Sequence, residues 1–322
     1  MTRAIMILVM MFIFLLEGAP YLFAQGYPDR TINLIIPMAP GDGVDIVGRL
    51  MAEELGKTLK VPIVVLNKPG AGGVVGKDLV SKAKNDGYTL LLTPSAPVIY
   101  NKVLRPADVP YDSFKDLTPL GLATFTPIVA GIQSDGPFKD FNEMVDYAKK
   151  NPGKVRCGSM GAGSVGDFDT EIIKALAGVN ITSIPFKGAS PAIAALLGGH
   201  IEIAAVALGP LVGHIKSGKI KGIAISNKFP EFPDIPTLKQ LGYQQDLLGV
   251  WFAFYAPAGV PAHINDILTA ASEKVVKDPA ISSKLARTGM IQEFEPPQKL
   301  LTRMQEEYRM VEEIARRTGM VK

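Results

Sequence analysis

Short apolar, β-branched runs alternate along the chain with stretches whose apolar residues return every three or four positions. Residues 31–36 (TINLII) read as a buried strand, and Ile46, Val47, Leu50, Met51 and Leu55 then fall at helical spacing. Residues 62–66 repeat the strand pattern, Val74, Val75, Leu79, Val80 and Ala83 repeat the helical one, and residues 88–93 give a third strand. Three β–α steps in succession predict a mostly parallel, doubly wound sheet. A second series starts near residue 125, with strands expected at 128–132, 154–158, 181–185, 201–207 and 220–225. Asp140 with Glu143 reads as a capping box for a helix running to Lys150, and another helix ends at Gly178. Ser190-Pro191 reads as a cap and first residue of a helix closed by Gly198-Gly199, and 210–217 as a short helix. A strong β run at 250–256 holds the only tryptophan, Trp251, and helices are expected at 261–277, 279–288 and 297–318. No segment recurs at a fixed period, which disfavours a solenoid.

Two α/β series and a late return strand predict an α/β protein with two lobes and a cleft between them. Lobe 1 would comprise 27–123 plus 250–322, and lobe 2 would comprise 124–249. The N-terminus reads differently. Arg3 precedes an apolar stretch at 4–16, and Leu22-Phe23-Ala24 ends on a small residue. Such a stretch is short for a membrane span of about 20 residues. It predicts a secretory signal peptide over 1–24, cut near Ala24, with an uncleaved anchor as the other reading.

Charged residues are 20% and hydrophobic residues 47%, so the chain can build a core and does not read as disordered. Net charge is +3 with no Lys/Arg block, so no nucleic-acid partner is expected. A single cysteine, Cys157, permits no internal disulfide and has no histidine obviously poised beside it. His200, His214 and His263 are far apart and form no metal motif, and no cofactor is expected. Ser95 and Ser164 lack a nucleophile elbow. Asp167, Asp169 and Glu171 could be paired acids, but they suit the solvated first turn of a helix.

The candidate chemistry lies in three Gly-rich loops, 37–45, 67–73 and 158–166, each between a strand and a helix. Glycine lets backbone approach a ligand closely, and helix starts present free N–H groups with partial positive charge. Together they make an anion site with no basic side chain. None carries the Gly-Lys-Ser/Thr of a P-loop, and the Gly161-x-Gly163-x-x-Gly166 spacing lacks the context of a dinucleotide site. Asp45 reads as a helix cap, with a ligand-facing role as the other option. Asp42 lies at a loop tip; with Asp167 it would bias the pocket toward a ligand bearing both an acid and an amino or other polar group. Phe125, Phe186 and Trp251 are candidate pocket walls, with core packing equally suited to Trp251.

An ordered series of motifs then gives a resemblance. Tyr27-Pro28, Ile36-Pro37-Met38-Ala39-Pro40-Gly41 with Asp45, Asn67-Lys68-Pro69-Gly70-Ala71-Gly72-Gly73, Asp86-Gly87-Tyr88-Thr89-Leu90 and Pro110-Tyr111-Asp112 mark the first half. Pro185-Phe186-Lys187-Gly188, Leu197-Gly198-Gly199-His200, Ser217-Gly218-Lys219 and Ala256-Pro257-Ala258-Gly259-Val260-Pro261 mark the second. The chain resembles the tripartite tricarboxylate transporter substrate-binding proteins, the TctC or Bug family. That resemblance implies a two-lobed Venus-flytrap periplasmic binding protein of type II-like fold, acting as a monomer and catalysing nothing. It implies a small carboxylate ligand (a dicarboxylate, tricarboxylate, amino acid or aromatic acid) and delivery to membrane permease subunits. Carried onto this chain, the ligand contacts would be Pro40, Gly41, Asp42, Gly43, Asp45, Thr93 and Ser95 in the first lobe. Those of the second would be Ser159, Gly161, Gly163, Ser164, Phe186, Lys187, Val206 and Ala207. The chain departs from the family pattern at Asp42, usually Gly, and at Val165-Gly166-Asp167, where a Pro-His-His-like segment is common. It departs again at Phe186, often Tyr, and Val206, usually Asp. An exported α/β hydrolase or isomerase, or a periplasmic sensor partner, are the other readings.

Overall fold

The computed structural model describes residues 26–321; the expected signal segment lies outside the described residues. In chain order the strands are β1 (Ile32–Ile36), β2 (Ile63–Asn67), β3 (Thr89–Pro94), β4 (Leu117–Thr126), β5 (Ile128–Gln133), β6 (Val155–Ser159), β7 (Ile181–Pro185), β8 (Ile203–Ala207), β9 (Ile220–Ile225), β10 (Val250–Pro257) and β11 (Ile291–Glu295). The helices are α1 (Gly43–Leu59), α2 (Val74–Ser81), α3 (Ser95–Val98), α4 (Tyr100–Leu104), α5 (Phe141–Lys150) and α6 (Val165–Ala177). They continue with α7 (Ala189–Leu197), α8 (Leu208–Lys216), α9 (Ala262–Val276), α10 (Pro279–Ala286) and α11 (Pro297–Arg317).

The strands form a six-stranded sheet, ordered β11-β4-β10-β3-β1-β2, and a five-stranded sheet, ordered β7-β6-β8-β5-β9. Both are mixed. β1 pairs parallel with β2 and β3, and β6 pairs parallel with β7 and β8. The parallel, doubly wound expectation therefore holds for these strands, while β10, β4, β11, β5 and β9 join antiparallel. The two sheets share one order: β4-β10-β3-β1-β2 matches β9-β5-β8-β6-β7 strand for strand and direction for direction. The chain passes from one sheet to the other at Pro127, between β4 and β5, and returns between β9 and β10.

Local sequence explains these elements. β1 is covered on both faces, so its apolar run is nearly continuous and Ile32, Leu34 and Ile36 are fully buried. All eight residues of β10 are buried between β3 and β4. α1 turns Val44, Val47, Met51 and Leu55 inward at helical spacing, each burial contributing about 2 kcal/mol. Lys60 ends that helix in the left-handed conformation, with φ 59°.

Two strands were not legible. β4 carries Pro119 and Gly121, and register shifts against β10 let it bend past both. β11 is an edge strand carrying Glu293 and Glu295, so its apolar signal is weak. The expected cap at Ser190 is corrected: the helix begins at Ala189 with Gly188 as its cap, and Ser190 sits exposed in the first turn.

Candidate ligand-binding site

In each sheet the first parallel strand, β1 or β6, has its two successors on opposite sides, which makes a switch point where the crevice at the strands' carboxyl ends can hold a ligand. A cavity of about 270 Å³ lies where these two crevices meet. Met38, Asp42 and Gly43 reach it after β1, and Pro94 and Ala96 at the end of β3. Met160, Ser164 and Val165 reach it after β6, Gly188 and Ala189 after β7, and Ala207, Gly209 and Pro210 at the end of β8. Thr126, Val250 and Phe252 on the central strands, with Thr288 and Met290 ahead of β11, complete the wall.

Four helices of 9 to 17 residues, α1, α6, α7 and α8, therefore start at one cavity. Each start leaves N–H groups without intrahelical partners and carries about half a positive charge. Asp42 caps α1 by accepting the Val44 amide at 3.1 Å, and Ser164 caps α6 by accepting the Asp167 amide at 3.3 Å. α7 and α8 start at Gly188 and Ala207 without a side-chain cap, although the first α8 amide, Leu208, donates to the Pro127 carbonyl at 2.9 Å.

Each of the two leading loops is held by a carboxylate four residues beyond a glycine. The Gly41 amide donates to Asp45 Oδ2 at 2.9 Å, and the Gly163 amide donates to Asp167 Oδ2, also at 2.9 Å. Asp45 is further gripped by Arg49 Nε at 3.0 Å and by Asn67 Nδ2, from β2, at 2.8 Å. Burial alone would raise its pKa, but the bonds from Arg49, Gly41 and Asn67 together hold it below the usual carboxylate value. Asp167 takes its second bond from the Ser183 hydroxyl on β7. These contacts settle two expectations. Asp45 is not the cap of α1, because Asp42 is, and Asp167 turns to its own loop rather than to the cavity. Asp42 keeps solvent contact at the cavity wall. Crowding by protein pushes its carboxyl upward, the Val44 amide opposes this, and Asp45 adds repulsion.

Of the sequence-chosen residues, Asp42, Gly43, Ser164 and Ala207 are on the wall. Pro40 and Gly41 are exposed on the loop beside it, with Gly41 at φ +84°. Thr93 is buried and donates to the Pro94 carbonyl at 3.2 Å. Ser95, between the wall residues Pro94 and Ala96, is buried with its hydroxyl unpartnered. Ser159 is buried and bonds the Gly161 carbonyl, and Gly161 and Gly163 shape the turn with φ +141° and +73°. Phe186 packs toward Gly158 behind the loop, Lys187 is exposed, and Val206 is core. The second Gly-rich loop braces the first: Asn67 Nδ2 also donates to the Met38 carbonyl at 3.0 Å, and Asn101 holds the Gly72 carbonyl at 3.0 Å. Met38, Met160, Phe252, Thr288 and Met290 were missed. They come from separate segments, and no short motif marks them.

Phe168 of α6 meets α4, and Asp169 meets the segment just ahead of β10. The Tyr100 and Phe168 rings stack edge-on, 5.5 Å apart, and Asp169 accepts the Leu248 amide at 2.8 Å. Glu307 of α11 accepts Trp251 Nε1 at 2.6 Å and the Tyr100 hydroxyl at 2.9 Å. Burial raises the pKa of both carboxyls, and their mutual repulsion raises Asp169 further. Trp251 is thus core and not cavity wall. Burial likewise pushes the Cys157 thiol up to about 12, which suits an inert core residue. A larger open groove, about 760 Å³ beside α8 and α10, shares only Met290 with the cavity and receives none of the helix starts just described.

Comparison with known proteins agrees with this geometry. Residues 47–320 match the model for the tripartite tricarboxylate transporter family receptor, TctC. The protein BugT of Bordetella pertussis is 32% identical over 299 residues, covering 92% of this chain and 91% of its own. A periplasmic transporter of known structure superposes with TM-score 0.82 at 32% identity, covering 91% of this chain and 99% of that one. An R. palustris protein solved with adipate superposes with TM-score 0.82 at 25% identity, covering 91% and 98%. MatC from Rhodopseudomonas palustris, solved with bound malate, gives 0.77 at 29% identity, covering 89% and 99%.

Proposed function

This chain belongs to the tripartite tricarboxylate transporter receptor family, whose members are solute-binding proteins, and from that premise we propose that it captures a small carboxylate in the cavity between its two sheets and hands it on unchanged to a membrane permease. The receptor works in the periplasm, exported by the segment 1–24. Its lobes are 27–123 with 250–322, and 124–249. The observation that carries the reading is the convergence of four helix starts, one from the first sheet's side and three from the second's, on one cavity. A carboxylate there meets N–H donors and positive helix ends from both sides, and drawing the lobes together would exclude water and strengthen each contact.

The residues that would touch the acid group are Gly43 of the first lobe and Ser164, Val165 and Ala189 of the second. Asp45 and Asp167 act one step away by fixing the loops that present those amides. The relatives solved with adipate and malate support a carboxylate ligand. Thermal-shift and calorimetric screening of carboxylates tests the reading. A binder gains stability in proportion to ligand excess over Kd and returns the ligand intact. No shift with any mono-, di- or tricarboxylate, or chemical conversion of the ligand, would refute it.

A further inference from the structure

We propose that Asp42 fits the cavity to acids with a single carboxylate and rejects molecules that carry a second one; this rests on the carboxylate-receptor reading above. Among the described residues, Asp42 is the one charged side chain on the cavity wall, and no Lys, Arg or His joins it there. Four helix starts turn free N–H groups and positive ends toward the cavity, and these can hold one carboxylate. A second one in the same small cavity meets the Asp42 carboxylate, which repels it.

The rest of the wall supports the same balance. Met38, Met160, Phe252 and Met290 contribute apolar surface. The Thr126 hydroxyl already donates to the Gly289 carbonyl at 3.2 Å, and the Thr288 hydroxyl to Leu285 at 2.7 Å. Neither proton is free for a ligand oxygen. Arg49, on the helix that Asp42 caps, is bound to Asp45. Lys187, beside the wall residue Gly188, is exposed. A carboxylate buried without a partner costs more than its contacts return. At about 270 Å³ the cavity takes a small acid with an apolar body, since it lies just under the usual ~300 Å³ lower end for ligand sites.

Three molecules with one six-carbon chain test this by calorimetry near neutral pH: hexanoate, its ω-amino acid, and adipate. The wild type binds hexanoate at least about tenfold tighter than adipate. Asp42→Asn keeps an oxygen to cap α1 and removes the charge. Measured against hexanoate in the same protein, it raises adipate affinity about fivefold and lowers that of the ω-amino acid. If the variant fails to fold, the wild-type order alone decides. Adipate binding as tightly as hexanoate, or an adipate affinity unmoved by Asp42→Asn, overturns the proposal while leaving the receptor reading standing. Failure of every carboxylate instead overturns the receptor reading and this proposal with it.

Discussion

The two halves of the cavity are built alike and charged differently. In the first, the loop from β1 to α1 runs through Gly41, Asp42, Gly43 and Asp45; in the second, the loop from β6 to α6 runs through Gly163, Ser164, Val165 and Asp167. In both, a carboxylate four residues past a glycine closes the loop onto a neighbouring parallel strand. The first half adds Arg49 to its clamp and caps its helix with an acid, whereas the second uses hydroxyls at both places. Shared topology thus brings helix starts to the cavity from both sides, while the side chains that cap and clamp them differ in charge.

That contrast can be broken position by position. The largest effect is expected at Gly166, where an added Cβ would overlap the backbone carbonyl of Ala205 on β8. Gly166→Ala is expected to cost about 3 kcal/mol in chemical unfolding. The two clamps come next. Asp45→Ala should destabilise by about 2 kcal/mol, discounted for the exposure of Arg49, and Asp167→Ala by about 1 kcal/mol. Equal losses would show that the arginine adds nothing. Gly43 occupies the position matching Val165, and its Cβ would meet only side-chain ends, Met290 Cε at 3.2 Å and Phe252 Cζ at 3.7 Å. Gly43→Ala should therefore leave stability within about 0.5 kcal/mol yet weaken carboxylate binding about fivefold by narrowing the cavity.

The smallest effect is on pH dependence, and its sign differs between the clamp and the interior acids. Asp45 is held below its unfolded value, so its stabilisation is complete above the unfolded pKa and fades as pH falls through the folded one. Asp169 and Glu307 are raised, so their contribution is complete at low pH and fades as pH rises through their folded values. Between about pH 7 and pH 5 the wild type should gain stability on acidification, and Asp169→Asn should flatten that slope. A melting series over this range, with both proteins side by side, would show no difference if the Asp169 carboxyl is not shifted.

Much of this was readable because burial leaves periodic traces. β1, β3 and β10 announce themselves by nearly continuous apolar runs, and the Gly-rich turns mark where helices begin. Topology was less accessible. The five-strand order common to both sheets leaves no trace at a fixed spacing, since it constrains strand pairing and not residue identity. Within the site, Asp42 and Ser164 were named through the family resemblance, which carries them on the loops ahead of α1 and α6. Assigning the cap to Asp45 failed because an acid in the first turn and an acid at the cap read alike until the Gly41 bond is seen. Met290 and Thr288 reach the cavity from a segment almost 250 residues beyond Asp42 in the chain, and their sequence neighbourhood carries no sign of it.

The central claim is that backbone amides from both halves, and no basic side chain, hold the ligand's acid group. A crystal structure of the protein with hexanoate bound tests it directly. The account predicts carboxylate oxygens within about 3.2 Å of backbone nitrogens from the start of α1 and from the helix starts of the second sheet. A carboxylate seated instead on Lys187 or another cationic side chain, or in the groove beside α10, would contradict it.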